Sequence, residues 1–97
     1  MKTVLSIQDL SCAGRCSLTV ALPVLSAMGC RCSILPTAVL STHTGFPQPH
    51  VVSLTEDIEK IFRHFSRLDL RFDAVTTGYL ADPAQIRTVV PVLQHFR

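Results

Sequence analysis

The 97-residue sequence contains only four glycines, and none of them lies in a glycine-rich run. It has no G-x-x-x-x-G-K-S/T motif, so it lacks the loop with which P-loop proteins bind phosphate groups. Its nine Lys and Arg residues and seven Asp and Glu residues are scattered, without a basic stripe or interleaved aromatic side chains. We therefore expect no nucleic-acid partner.

No stretch has the length and hydrophobicity of a signal peptide or a membrane span. Lys2 precedes an apolar run, but Gln8 and Asp9 end that run well short of a signal-peptide core. The apolar stretch from Leu18 to Met28 is too short to cross a bilayer and is broken by Pro23. These features predict a cytoplasmic protein with no membrane partner.

Cysteine pairs with the usual zinc-binding C-x2-C spacing are also missing. The cysteines are spaced C-x3-C and C-x-C, which is not the pattern of a small secreted disulfide framework either. They are Cys12, Cys16, Cys30 and Cys32. We expect reduced, structural thiols and no metal. The alternative, a zinc site, would need all of these thiolates to converge on one ion.

The composition is that of a single globular domain, with 47% hydrophobic and 16% charged residues. A chain of this length buries only roughly 60 to 65% of the surface that its unfolded form exposes. A parallel sheet needs cover on both faces, so its core would be marginal here. The length therefore suggests that a further segment of chain or a partner completes the core.

Three runs rich in aliphatic and β-branched residues predict strands. The first is Thr3 to Ile7, which is followed by a loop to about Gly14. The second is Arg31 to Leu40, where Pro36 indicates a bulge or an edge position. The third is Phe72 to Thr77.

Two of the three predicted helices lie in the first two thirds of the chain. Cys16 to Met28 is apolar nearly all round and suits a helix buried between layers, with Pro23 as a kink or as its true start. Gly29 would end it. The second helix follows a capping box formed by Ser53 and Glu56. Its expected buried stripe is Ile58, Ile61, Phe62, Phe65 and Leu68.

The third predicted helix begins at Asp82 and Pro83, a capping residue followed by proline in the first turn. Its expected buried stripe is Ile86, Val89, Val90, Leu93 and Phe96. Between the second strand and the second helix, Thr42 to Val52 is predicted to be irregular. This connection is either a lid or binding loop, or a plain surface connection.

Three successive strand-helix units predict an α/β fold, in which helices cover both faces of a parallel sheet. A polar cluster follows each predicted strand: Gln8 to Ser11, Ser41 to Phe46 and Thr76 to Tyr79. Ligands bind beyond the carboxyl ends of such strands, so we expect the clusters to share one binding edge. Gly14, Gly45 and Gly78 lie at the same edge, where close backbone approach to a ligand is useful.

Four segments resemble the N-terminal half of pyridoxal (pyridoxamine) kinases of the ribokinase-like superfamily. They are Ser6-Ile7-Gln8-Asp9, Ala21-Leu22-Pro23, Ser41-Thr42-His43-Thr44-Gly45 and Thr77-Gly78-Tyr79-Leu80. The resemblance implies a truncated ribokinase-like fold in which residues 1–97 are the N-terminal part of one kinase domain. The complete enzyme would use ATP and Mg²⁺ to phosphorylate the hydroxymethyl group of pyridoxal or pyridoxamine, and would be a homodimer.

By the same resemblance this chain supplies substrate contacts and no catalytic residue. Asp9, His43, Thr44 and Tyr79 correspond to the substrate-binding positions. Relatives often carry serine where Asp9 stands. The nucleotide site and a Gly-Thr-Gly-Asp segment with the catalytic aspartate are expected beyond Arg97, so the chain alone is expected to bind no cofactor and to be inactive.

Two alternatives stay open on the residues alone. Hydroxymethylpyrimidine kinases of thiamine synthesis, a sister group, often carry an acidic residue near the position of Asp9. A non-catalytic α/β module that binds a ring metabolite is the other alternative. Without the resemblance, His43 could equally be a turn residue and Tyr79 an aromatic residue at the edge of the core.

Overall fold

The computed structural model describes residues 2–14, 18–42, 45–78, 80 and 83–96. The chain forms an α/β structure, as predicted. Its elements in chain order are β1 (Thr3–Ala13), α1 (Leu18–Ala27), β2 (Arg31–Thr42), β3 (Val51–Ser53), α2 (Thr55–Arg67), β4 (Ala74–Thr77) and α3 (Pro83–His95).

The strands form one sheet in the order β3-β2-β1-β4. β1 pairs in parallel with both β2 and β4, whereas β3 pairs antiparallel with β2. The prediction of a wholly parallel sheet is therefore wrong. The residues from 45 to 50 turn the chain back, which allows the short β3 to form within the connection that was predicted to be irregular.

β1 is longer than predicted and continues through the polar residues Gln8 to Ser11. These residues pair with β2 as far as Ser11 with Leu40 and Ala13 with Thr42. The expectation that Asp9 lies in a loop after the first strand is wrong. The long neighbouring strand supplies backbone partners that local side-chain pattern does not reveal.

A bulge interrupts the β1–β2 ladder, as Pro36 indicated. Gln8 pairs with Pro36 and Leu10 pairs with Val39, so two residues of β2, Thr37 and Ala38, oppose Asp9 alone. Pro36 has no N–H group to donate, and the bulge accommodates it within an interior strand. β3 pairs with β2 only from Ala38 to Leu40, so among the described residues the outer side of β2 also has no partner strand at Pro36.

The core lies on one face of the sheet, between the strands and the helices α2 and α3. Its buried residues are Leu5, Ile7, Leu35, Ile58, Val89 and Val92. The crossover through α1 runs from β1 to β2, and the crossover through α2 runs back past β1 to β4. Right-handed crossovers in opposite directions place α1 on the other face.

α1 is less buried than its apolar sequence suggested. Leu18 is its only buried residue, whereas Val24 is 50% exposed and Met28, just beyond the helix, is 71% exposed. The described chain thus covers α1 on one side only, and the expectation of a helix buried between layers is wrong. Pro23 lies inside the helix, and Gly29 follows its end with a φ of 83°.

α2 is the helix that the sequence predicted, but its start differs. Leu54 is the N-cap residue and makes no side-chain cap hydrogen bond, so the capping box with Ser53 as the cap is wrong. The Ser53 hydroxyl instead accepts from the backbone N–H of Thr55 at 3.4 Å. Ser53 belongs to β3, and its hydroxyl lies 2.7 Å from that of Thr55. Ile58 is buried, but Leu68 is 56% exposed because it follows the last helical turn.

α3 begins at Pro83 as predicted, whereas Asp82 lies outside the described residues. Its buried side chains are Gln85, Val89 and Val92. Ile86 and Val90 are 53% and 43% exposed, so the predicted stripe is wrong at these two positions. The helix is rotated so that the polar Gln85, rather than Ile86, faces the sheet.

Candidate functional site

The carboxyl ends of the parallel strands bring three groups of residues to one edge of the sheet. β1 ends at Ala13 and is followed by Gly14, β2 ends at Thr42, and β4 is followed by Gly78. Gly14 is exposed with a φ of 86°, a conformation that favours glycine, and Gly45 is also exposed. This edge is the binding position that open α/β sheets use.

Asp9 is the buried carboxylate nearest this edge. Its residue is 3% exposed, and its Oδ2 atom accepts a hydrogen bond from the Ser11 hydroxyl at 3.2 Å. Its Oδ1 atom is buried and has no hydrogen-bond partner in the described part of the chain. A buried carboxylate oxygen without a partner is costly, so Oδ1 is suited to receive a donor from a ligand.

Thr42 carries a second buried oxygen of this kind. Its Oγ1 atom also lacks a hydrogen-bond partner among the residues that the structure describes. Ala13 pairs with Thr42 and Ser11 pairs with Leu40, and parallel partners share a face of the sheet. Thr42 therefore lies on the same face as Asp9 and Ser11. Two unpaired oxygens thus lie on one face, towards the binding edge.

Gly78 lies against the side chain of Gln8. The backbone N–H of Gly78 donates to the Ile7 carbonyl at 2.9 Å, and Gln8 Nε2 donates to the Ser6 hydroxyl at 2.8 Å. A Cβ atom at Gly78 would lie 2.7 Å from Gln8 Oε1. The missing side chain at Gly78 therefore makes room for Gln8, directly before Asp9 in β1.

His43, Thr44 and Tyr79 lie outside the described residues, so their predicted substrate contacts stay predictions. In sequence they follow Thr42 and Gly78 directly. Thr42 and Ser11 were not among the predicted site residues. The signal that could have found Thr42 is a hydroxyl at the last position of a strand that ends at the binding edge.

Gln85 is a further residue that the sequence pattern missed. It is fully buried, and its Nε2 atom donates to the Thr37 carbonyl at 2.6 Å and lies 3.4 Å from the Ser53 hydroxyl. Thr37 belongs to the bulge that opposes Asp9. The side chain of Gln85 therefore connects α3 to the part of β2 beside the candidate site.

Other polar features of the described chain do not converge on this edge. Cys12, Cys30 and Cys32 are free thiols, and Cys16 lies outside the described residues. In the described ranges no group of three or more His, Cys, Asp and Glu side chains is arranged around a possible metal position, so we assign no magnesium ligand there. A surface cavity of about 340 Å³ lies at the opposite end of β4 and is lined by Arg71, Phe72 and His95 among others.

None of the helices that the structure describes combines the length and hydrophobicity needed to cross a bilayer. This finding concerns residues 2–14, 18–42, 45–78, 80 and 83–96 alone.

Solved structures provide the comparison with known proteins. A Bacteroides thetaiotaomicron protein named a phosphomethylpyrimidine kinase, crystallised with pyridoxal, matches 99% of this chain at 45% identity and a TM-score of 0.96. Pyridoxal kinase from Lactobacillus plantarum matches 98% of the chain at 38% identity and a TM-score of 0.91. The chain has a ribokinase-like fold.

A more distant kinase shows the same relationship. Pyridoxal kinase from Leishmania donovani, crystallised with ADP and pyridoxamine, matches 100% of the chain at 26% identity and a TM-score of 0.91. The chain spans 34% to 35% of the length of these three kinases and corresponds to their N-terminal part. No protein-family model matches the sequence, and neither does any curated protein.

Proposed function

We propose that this chain supplies the substrate-binding part of an ATP-dependent kinase for B6 vitamers. The complete enzyme would transfer the γ-phosphoryl group of ATP to the hydroxymethyl group of pyridoxal or pyridoxamine, and pyridoxal would become pyridoxal 5′-phosphate. The observation that carries the proposal is the buried Asp9 carboxylate, whose Oδ1 atom has no partner in the described chain. Its support is the ribokinase-like fold shared with pyridoxal kinases.

The chemistry of a B6 vitamer suits the two unpaired oxygens. The vitamer ring carries a phenolic hydroxyl and a ring nitrogen that donates when protonated, and either group can donate to Asp9 Oδ1. A charge-assisted hydrogen bond of this kind is stronger than one between neutral groups. The Thr42 hydroxyl can donate to or accept from a second polar group of the ring. The hydrogen bond to Asp9 would fix one edge of the ring, and Thr42, which pairs with Ala13 four residues beyond Asp9, would lie further along the same edge of the sheet.

The part played by this chain is therefore orientation of the acceptor. Phosphoryl transfer depends on holding the attacking hydroxyl in line with the phosphate and on neutralising charge around it. ATP and Mg²⁺ supply the phosphoryl group and the neutralising charge when they are bound. No described residue is assigned to them, and the rigid strands β1 and β2 would hold the vitamer for the attack.

A second substrate is favoured by one specific feature, the negative charge of Asp9. Hydroxymethylpyrimidine carries an exocyclic amino group, which is a good donor to a carboxylate. The matching Bacteroides thetaiotaomicron structure is named a phosphomethylpyrimidine kinase, although one of its crystal forms contains pyridoxal. Hydroxymethylpyrimidine kinase is therefore the runner-up.

The test is a parallel assay of the protein that contains this chain. It is incubated with ATP and Mg²⁺ and, separately, with pyridoxal, pyridoxamine and hydroxymethylpyrimidine, and the phosphorylated products are quantified. We expect the highest kcat/KM with a B6 vitamer. A higher value with hydroxymethylpyrimidine would transfer the assignment to the runner-up. Binding of pyridoxal without turnover of any of the three would indicate a non-catalytic binding module.

A further inference from the structure

Gln85 is a buried amide on a helix face that is otherwise apolar. It is fully buried beside Val89 and Val92, which belong to the core of the described chain. A buried amide is costly unless it is hydrogen-bonded, whereas an apolar side chain of the same length would fill the space without that cost. The residue therefore calls for an explanation beyond packing.

One of its hydrogen bonds joins α3 to the bulge of β2. Gln85 Nε2 donates to the Thr37 carbonyl at 2.6 Å, and the backbone N–H of Leu54 donates to the same carbonyl at 3.0 Å. Leu54 is the N-cap residue of α2. The first turn of α3 and the start of α2 are thus both fixed to one carbonyl group of the bulge.

The residue that carries this carbonyl lies opposite Asp9 in the β1–β2 register, and the carbonyl itself points to the other side of β2, where Leu54 follows β3. Thr37 and Ala38 together oppose Asp9, because the pairs on either side are Gln8 with Pro36 and Leu10 with Val39. A bulge lacks part of the regular ladder, and Pro36 has no N–H group to contribute to it. External donors therefore hold the backbone of β2 in the segment that opposes Asp9.

We propose that Gln85 is a positioning residue, which fixes the β2 bulge and thereby keeps Asp9 Oδ1 buried and directed to the ligand. The inference rests on the proposed function, because it concerns binding of the ring at Asp9. Gln85 itself does not touch the ligand. It acts through the Thr37 carbonyl and the backbone that opposes Asp9.

The test is isothermal titration of pyridoxal into the protein and its variants. Gln85→Met keeps the side-chain length and removes the donor, and we expect it to raise the Kd by about tenfold, as loss of one buried hydrogen bond allows. Gln94→Met is the matched control, because Gln94 is exposed on the same helix, and its Kd should equal that of the unsubstituted protein. An unchanged Kd for folded Gln85→Met would overturn the inference.

A double-mutant cycle with Asp9→Asn separates positioning from general destabilisation. If Gln85 acts through Asp9, the double variant Asp9→Asn/Gln85→Met should bind no more weakly than Asp9→Asn alone. Losses in binding free energy that add in full would mean that Gln85 has a merely structural role and would overturn the inference. Gln85→Leu, which has a similar volume and carries neither a donor nor a charge, replaces Gln85→Met in the cycle if the methionine variant does not fold.

The titrations distinguish failure of this inference from failure of the proposed function. If the unsubstituted protein binds pyridoxal and Gln85→Met binds it equally well, only the role of Gln85 is wrong. If the unsubstituted protein binds neither pyridoxal nor hydroxymethylpyrimidine, the proposed function is wrong and the inference fails with it.

Discussion

The side chain of Gln8 occupies the space that a Cβ atom at Gly78 would need. Such an atom would lie 2.7 Å from Oε1, 2.8 Å from Cγ and 2.9 Å from Cδ of Gln8. All three distances are shorter than a van der Waals contact, so the side chain of Gln8, which donates to the Ser6 hydroxyl through Nε2, would have to move. The packing of the Gln8 side chain in β1 therefore requires glycine at position 78, directly after β4.

We predict that Gly78→Ala destabilises the protein by about 1 to 3 kcal/mol, the usual cost of inserting a methyl group into a filled site. The measurement is the free energy of unfolding from urea titration. In the Gln8→Ala background the same substitution should cost much less, because the obstructing atoms are gone. An equal cost in both backgrounds would show that Gln8 is not the obstacle.

The second prediction concerns the charge of Asp9. Asp9→Ser removes the carboxylate and introduces serine, the residue that the resemblance to pyridoxal kinases leads us to expect at this position. We expect a loss of about 1 kcal/mol in transition-state binding of pyridoxal, since a serine hydroxyl can still accept from the ring. The loss should be larger for hydroxymethylpyrimidine, whose amino group favours an anionic acceptor.

Steady-state kcat/KM values for both substrates test this prediction. Ser11→Ala is the control, since it removes the hydroxyl that donates to Asp9 Oδ2 and leaves the carboxylate in place. Its effect should be similar for the two substrates. Equal losses for both substrates in Asp9→Ser would show that the charge does not discriminate between them.

The third prediction is a dependence of stability on pH at the other end of the sheet. Asp73 Oδ2 accepts hydrogen bonds from the backbone N–H of Thr3 at 2.8 Å and from the Thr3 hydroxyl at 3.2 Å. These bonds hold the pKa of Asp73 below its ordinary value, the backbone bond being the larger cause. The stabilisation is therefore present above the pKa of the unfolded chain and is lost as the pH falls through the pKa of the folded state.

Asp73→Asn should lower the melting temperature at neutral pH, and the difference should shrink as the pH falls below about 4, the ordinary pKa of aspartate. Asp69→Asn is the control, because Asp69 is exposed in the turn before β4 and its φ of 54° is one that asparagine also adopts. A difference between Asp73→Asn and the unsubstituted protein that does not change with pH would contradict this explanation.

Local sequence pattern predicted the features that depend on neighbouring residues. The order of the elements apart from β3, the presence of the helix α2 and the bulge at Pro36 follow from hydrophobic spacing and from the missing N–H of proline. The position of Gly78 after a strand was also sufficient to place it at the binding edge. These features are determined by residues close in sequence and do not depend on contacts with distant parts of the chain.

The features that depend on distant residues could not be predicted in this way. The buried amide of Gln85 donates to a carbonyl group 48 residues away, so its burial is compatible with its polarity only through a distant partner. Asp9 and Ser11 lie in β1 because β2 extends as far as Thr42. Hydrophobic periodicity contains no information on these distant partners. It therefore predicted that Ile86 rather than Gln85 is buried, and that Asp9 lies in a loop.

The last prediction is that the 97-residue polypeptide by itself associates with further copies. Within the described chain β4 pairs only with β1 and forms one end of the sheet, so part of its backbone is available to another strand. Val24 and Met28 add exposed apolar surface on the other side of the sheet. Sedimentation velocity should therefore show species larger than a monomer, in a proportion that rises with concentration.

A charged side chain on the strand identifies the surface responsible. Thr76 is exposed in β4, and Thr76→Lys should shift the distribution towards the monomer, because a lysine on an edge strand opposes pairing with another edge. Gln94→Lys adds the same charge at an exposed position of α3 and should leave the distribution unchanged. If both variants reduce association equally, net charge rather than the edge of β4 controls it. A monodisperse monomer with a cooperative thermal transition in the unsubstituted polypeptide would contradict the prediction, because the open edge would then have no measurable consequence.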